Sequence, residues 1–138
     1  MTFKNITALL KHIEKQVQNT MTNEVADAVK DNMSEAIQIS VYDAYRPEYY
    51  NRRMQNGGLI DRDNMEVVEI QNGIAVHDTA PLDNGRKDYN LDEIIVCGLG
   101  SQPFGRDFYS ETEKRLSENQ DHIKALKRGL KKRGIKVE

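Results

Sequence analysis

Residues 41–59, VYDAYRPEYYNRRMQNGGL, separate a helical stretch from a mixed one. They hold four of the six tyrosines, three arginines, the first proline and a Gly-Gly pair. Pro47 lacks an N–H and its ring collides with the preceding turn, so it cannot sit inside a helix. It also pushes Arg46 towards an extended conformation. A helix is therefore expected to end near Tyr45, with an aromatic and basic loop after it. Tyr and Arg combine apolar area with directional hydrogen bonds, and interfaces favour both. Tyr45, Tyr49, Tyr50, Arg52 and Arg53 are accordingly interface candidates. In the competing reading the tyrosines close the edge of the core and the arginines are solvated.

Upstream, Phe3, Ile6, Leu9, Leu10, Ile13 and Val17 recur at helical spacing, with Thr2 available as a cap. Met21, Val25, Ala28, Val29, Met33, Ala36, Ile37 and Val41 continue the pattern after Asn19-Thr20. The spacing predicts helices over about 3–18 and 21–45, either kinked at Asn19–Thr22 or nearly continuous.

Downstream the period changes. Met65–Gln71 (MEVVEIQ) and Ile74–Thr79 (IAVHDT) flank Asn72-Gly73. This is a strong hairpin signal, because Asn and Gly tolerate the positive φ that tight turns need. Ala80–Asn90 (APLDNGRKDYN) reads as an exposed loop, and its Arg86 and Lys87 join the interface candidates. Leu91–Gly98 (LDEIIVCG) is expected to be a third, central strand, so the sheet would span about 65–98. Phe108, Thr112, Leu116, Ile123, Leu126 and Leu130 then predict a long helix over about 107–133. Gly134 is placed for a left-handed cap, with Ile135 folding back on Leu130. The expectation is a single α+β domain: N-terminal helices, a small mainly antiparallel sheet with an Asn-Gly hairpin, and a long C-terminal helix.

Composition narrows the function. The 138 residues are 38% apolar and 30% charged, which points to a thin core or to a subunit completed by its neighbours. Net charge is −2, but Lys124–Glu138 holds seven basic residues and one acid, so this stretch carries +6 and the remainder −8. Lys127, Arg128, Lys131, Lys132 and Arg133 form a basic C-terminal patch. It serves either to compensate the helix dipole or to contact DNA phosphates or an acidic partner. The lone Cys97 excludes an intrachain disulfide and is expected to be buried. No signal peptide or membrane span is legible, so a cytoplasmic origin is expected.

No constellation for catalysis emerges. His12, His77 and His122 lie in separate elements, and none has a His or Cys at ligand spacing. His77 and Asp78 are neighbours in a strand and should point to opposite faces. Asp61, Asp63 and Asn64 lack the rest of a calcium loop and read as a turn that opens a helix or strand. Gly98-Leu99-Gly100 lacks the third glycine of a dinucleotide loop. No metal, cofactor or catalytic residue is expected, and the chain is not expected to be an enzyme.

VYDAYRPEYYNRRMQNGGLIDRDN, the hairpin, RDFYSETEKRL and ALKRGLKKRGI together resemble small neck proteins of long-tailed bacteriophages, the tail-completion or head–tail joining class. The carrying motifs are Tyr45, Pro47, Tyr50, Arg52 and Arg53, and an Arg-(Pro or Asp)-Phe segment, here Arg106, Asp107 and Phe108. Asp107 stands where proline would be expected. The resemblance implies a non-enzymatic virion protein in a sixfold ring, made in the host cytoplasm and built into the neck. Its partners would be copies of itself and other neck and tail-tube or terminator proteins, with DNA passing through the ring and no membrane involved. The Tyr45–Arg53 loop and the Ala80–Asn90 loop are the candidate halves of the contact between copies, and Arg52 and Arg53 should then be dispensable for the protomer's stability. The alternatives are a small nucleic-acid-binding protein using the basic C-terminal helix, and a small hydrolase, for which no sequence feature speaks.

Overall fold

The computed structural model describes residues 3–44, 52–82, 90–99 and 104–137. Thr2, Tyr45, Pro47, Tyr49, Tyr50, Arg86, Lys87 and Gly100 lie outside the described residues.

The two predicted N-terminal helices form one rod over residues 6–42. It runs through α1 (Ile6–Thr20), a π-helical turn (Met21–Val25), α2 (Ala26–Ile37) and a second π turn (Gln38–Tyr42). At a rise of 1.5 Å per residue the rod is about 55 Å long. Its cap is Asn5, whose side chain accepts from the Ala8 N–H at 2.9 Å, so the helix starts three residues later than periodicity suggests. The expected break at Asn19–Thr22 is a π bulge. Thr20 Oγ1 donates to the Gln16 carbonyl at 2.8 Å and Asn23 Nδ2 to the Asn19 carbonyl at 2.7 Å. Such back-bonding competes with the helical ladder and loosens it without ending it.

The hairpin is present as β1 (Met65–Ile70) paired antiparallel with β2 (Gly73–Asp78). Its register sets Ile70 opposite Gly73, so the turn is centred on Gln71-Asn72, one residue earlier than expected. Asn72 takes the positive φ of 62° and Gly73 is the first residue of the strand.

The expected third strand is instead α3 (Leu91–Cys97), so the sheet ends at Asp78 and has two strands among the described residues. Leu91, Ile94, Ile95 and Gly98 also fit helical spacing, and a short apolar run cannot be assigned by periodicity alone. Gly98 closes the helix at φ 68°, and a Cβ there would meet the Gly105 nitrogen at 2.5 Å. The glycine that invited a phosphate-loop reading is thus a helix cap under a close chain crossing. Cys97 falls on the outer face of α3 and is exposed, not buried.

The C-terminal helical segment is divided at Gln120 (φ 59°) into α4 (Phe108–Asn119) and α5 (Asp121–Lys132). The cause lies in α2. Buried Asn32 accepts from Asn119 Nδ2 at 2.8 Å and donates to Asp121 Oδ2 at 3.1 Å. Satisfying this buried amide draws both flanking residues inwards and breaks the helix between them. α5 then ends as expected, with Gly134 at φ 85° and Ile135 N–H donating to the Leu130 carbonyl at 2.9 Å.

The core gathers Met33, Ala36, Ile37, Val41 and Tyr42 of the rod against Leu59, Met65, Ala80, Ile95 and Phe108. Phe108 and Ile37 are wholly buried. Asp107 in front of Phe108 caps α4, accepting from the Ser110 N–H at 3.0 Å, which gives a physical reason for Asp where the resemblance anticipates proline.

Candidate interaction surfaces

Three surfaces follow from this packing. The first is the C-terminal end of the rod. The carbonyls of Val41 and Tyr42 lie in its last described turn, at the negative end of the helix dipole. Arg52 Nη1 donates to the Tyr42 carbonyl at 2.8 Å, and its guanidinium lies 4.9 Å from the centre of the Tyr42 ring. Buried Arg106 donates to the Val41 carbonyl at 3.3 Å. Arg53 donates to the Pro81 carbonyl. The expectation that Arg52 and Arg53 are dispensable to the protomer does not fit these bonds, since Arg52 completes the end of a core helix. The role of Arg106 was not legible beforehand; an arginine just before a helix cap shows no periodicity.

Beside this end lies a buried polar knot. Asp78 is 1% exposed, and its Oδ1 accepts from the Ala80 N–H at 3.0 Å while Oδ2 has no hydrogen-bond partner among the described residues. Its own N–H donates to the Tyr109 hydroxyl at 2.9 Å, and that hydroxyl donates to Asp92 Oδ2 at 2.6 Å. Burial pushes the Asp78 carboxyl up to about 7, opposed by the Ala80 N–H and reinforced by the charges of Asp92 and Asp61. Burial and the bond to Asp92 raise Tyr109 as well. His77 points the other way, with Nε2 3.3 Å from Glu66 on the paired strand. The two neighbours therefore form no dyad.

The second surface is the first half of α1. Ile6, Leu9 and Leu10 are 74%, 37% and 53% exposed, whereas the same stripe is covered at Thr20 (0%), where α5 packs on the rod. Gly129 of α5 makes this approach possible; a Cβ there would stand 2.4 Å from Thr20 Cγ2. The apolar stripe thus outruns its covering helix.

The third is the outer face of α5. Lys124, Lys127, Arg128, Lys131 and Lys132 are all exposed. Arg133 leaves the predicted patch: it forms an ion pair with Glu24 at 2.8 Å, and this bond holds the Glu24 carboxyl below its ordinary range. Lys132 lies 4.0 Å from the same carboxylate.

An open groove of about 340 Å³ between α2, β2 and α4 is lined by Val29, Met33, Val76, Tyr109, Leu116 and His122. No group of His, Cys, Asp or Glu able to hold a metal occurs among the described residues. Asp61 caps a short 3-10 turn (Arg62–Asn64), accepting from the Asp63 N–H at 3.0 Å and the Gly57 N–H at 2.8 Å. The Asp-Arg-Asp-Asn stretch is therefore a turn.

The YomN family model matches residues 5–132, from the cap of α1 to the last residue of α5. The chain belongs to the YomN family. That places it in a phage-type protein family. No curated protein and no solved structure matches the chain significantly. The match takes in every helix and strand that builds the three surfaces of this YomN chain. No helix among its described residues is long and apolar enough to cross a membrane.

Proposed function

We propose that the protein is a non-enzymatic structural component of a long-tailed phage virion, forming a ring in the neck that completes the tail or joins it to the head. The observation that carries this reading is the uncovered stripe of α1 in a chain of a phage-type family. Ile6, Leu9 and Leu10 stand on the open end of a continuous helical rod. A lone exposed leucine is ordinary, but a helical row of them calls for a partner. A ring requires one patch to meet a different patch on the next copy, and a projecting arm suits such a heterologous contact. The stretches Tyr45–Arg53 and Ala80–Asn90, with Tyr45, Tyr49, Tyr50, Arg86 and Lys87, remain part of the proposed contact.

The test is assembly. Size-exclusion chromatography with light scattering, and negative-stain images of the purified protein, should show a ring. Leu9→Asp/Leu10→Asp should keep the melting temperature of the protomer, release monomers, and yield heads and tails that fail to join. A wild-type protein that stays monomeric, in a phage whose heads and tails join without it, would refute the reading.

A further inference from the structure

α5 carries a charge pattern that the ring does not use. Its inner face is locked on the rod through Ala125, Gly129 and Leu130, all buried. This fixes the outer face, where Lys124, Lys127, Arg128 and Lys131 follow one another at helical spacing. None of these four forms an ion pair or side-chain hydrogen bond with another described residue. After Asp121 the helix has no acid, and Asp121 itself is tied to Asn32.

Dipole compensation accounts for only part of this. The favourable effect of a cation is confined to the last turn of a helix. Lys131 and Lys132 are in that turn. Lys124, Lys127 and Arg128 are in the first and middle turns, where they gain nothing from the dipole and repel one another at spacings of three and four. The acids of the rod are treated differently. Arg62 pairs with Asp27 and Asp31, and Arg115 with Glu35. Four of the five acids on the rod thus have a cation within reach in the protomer, while positive charge on α5 is left uncompensated.

We propose that the outer face of α5 docks the phosphate backbone of duplex DNA without regard to base sequence. The row from Lys124 to Lys131 extends about 10 Å along the helix axis. Duplex DNA presents one negative charge per about 1.7 Å of its own axis, so several phosphates come within reach of the row at once. α5 contains no aromatic side chain on which the bases of a single strand could stack. Its lysines and one arginine are side chains that contact phosphate oxygens. An anionic membrane is a poorer match, because the basic face has no broad apolar flank to insert. The inference does not depend on the ring.

The full-length protein should bind labelled duplexes of two unrelated sequences equally in a fluorescence-anisotropy titration. Over about 50–200 mM salt, log K should fall against log salt with a slope of about −4, for four to five neutralised phosphates. Lys127→Glu/Arg128→Glu should keep the melting temperature, weaken binding about tenfold or more and flatten the slope by about 2. Lys11→Glu/Lys15→Glu makes the same charge change on α1 and should leave binding intact. The proposal fails if the wild type does not bind duplex at the lowest salt, or if the α1 variant loses as much as the α5 variant. It also fails if polyglutamate, single-stranded DNA or anionic vesicles compete as well as duplex does.

Discussion

Asn72 shows how one residue sets a turn. It takes a φ of 62°, and its neighbour Gly73 has joined β2 in register with Ile70. A Cβ on Gly73 would find its nearest neighbours at 3.9 Å (Ile70 Cγ1) and 4.0 Å (Met21 Cε), ordinary contact distances. The glycine is therefore not the residue the turn depends on. Asn72→Val should cost on the order of 1 kcal/mol, since a β-branched side chain resists the left-handed region. Asn72→Gly and Gly73→Ala should each be far milder. Thermal unfolding of the three variants checks the order; a Gly73→Ala variant worse than Asn72→Val would place the strain elsewhere.

Among the elements, the rod is decided by its ends and its lateral contacts. The first half of α1 runs free, the stretch around Thr20 is held by α5 through Gly129, and the C-terminal carbonyls are met by Arg52 and Arg106. Charge-assisted hydrogen bonds to helix-end carbonyls contribute more than neutral ones. Arg52→Ala should lower stability by roughly 1–2 kcal/mol, from the lost bonds to the Tyr42 and Val41 carbonyls and the lost contact with the Tyr42 ring. Arg52→Lys should recover only part, because an ammonium cannot span two carbonyls in the plane of a fork. Urea unfolding measures both; an Arg52→Ala protomer as stable as wild type would return Arg52 to a purely intermolecular role.

For the whole molecule, stability against pH sums groups of opposite sense. Glu24 and Asp107 are held below their ordinary values, Glu24 mainly by Arg133 and Asp107 mainly by the Ser110 N–H. Their contributions are present above the unfolded carboxylate range and fade as pH falls through it. Asp78 does the reverse. Its pKa rises from an ordinary 3.8 to about 7 on folding. Between those values the folded chain keeps a proton that the unfolded chain releases, so stability declines as pH rises from about 4 to 7, by at most about 1.4 kcal/mol per pH unit. Wild-type stability should therefore peak near pH 4, and Asp78→Asn should flatten the decline and be the more stable form at pH 8. Chemical denaturation across that range tests it; a wild type that gains stability from pH 5 to 8 would show that Asp78 stays charged when buried.

Much of the local chemistry was legible from spacing alone. The helical stripe of the rod, the hairpin at residues 65–78, the Gly134 cap with Ile135 folded back, and the basic row of α5 all follow from spacing and side-chain type. The opposed faces of His77 and Asp78 follow from the two-residue period of a strand. What required the tertiary structure depends on partners far away in the chain. LDEIIVCG fits a buried strand and a short helix equally, and becomes α3 with Gly98 closing it under Gly105. The break at Gln120 is caused by Asn32, almost ninety residues earlier, which must satisfy its amide. Arg52 and Arg106 become structural only because folding brings the last carbonyls of the rod to them. The periodicity of a segment says which face must be covered; only packing decides what covers it, and here leaves the first half of α1 and the outer face of α5 uncovered.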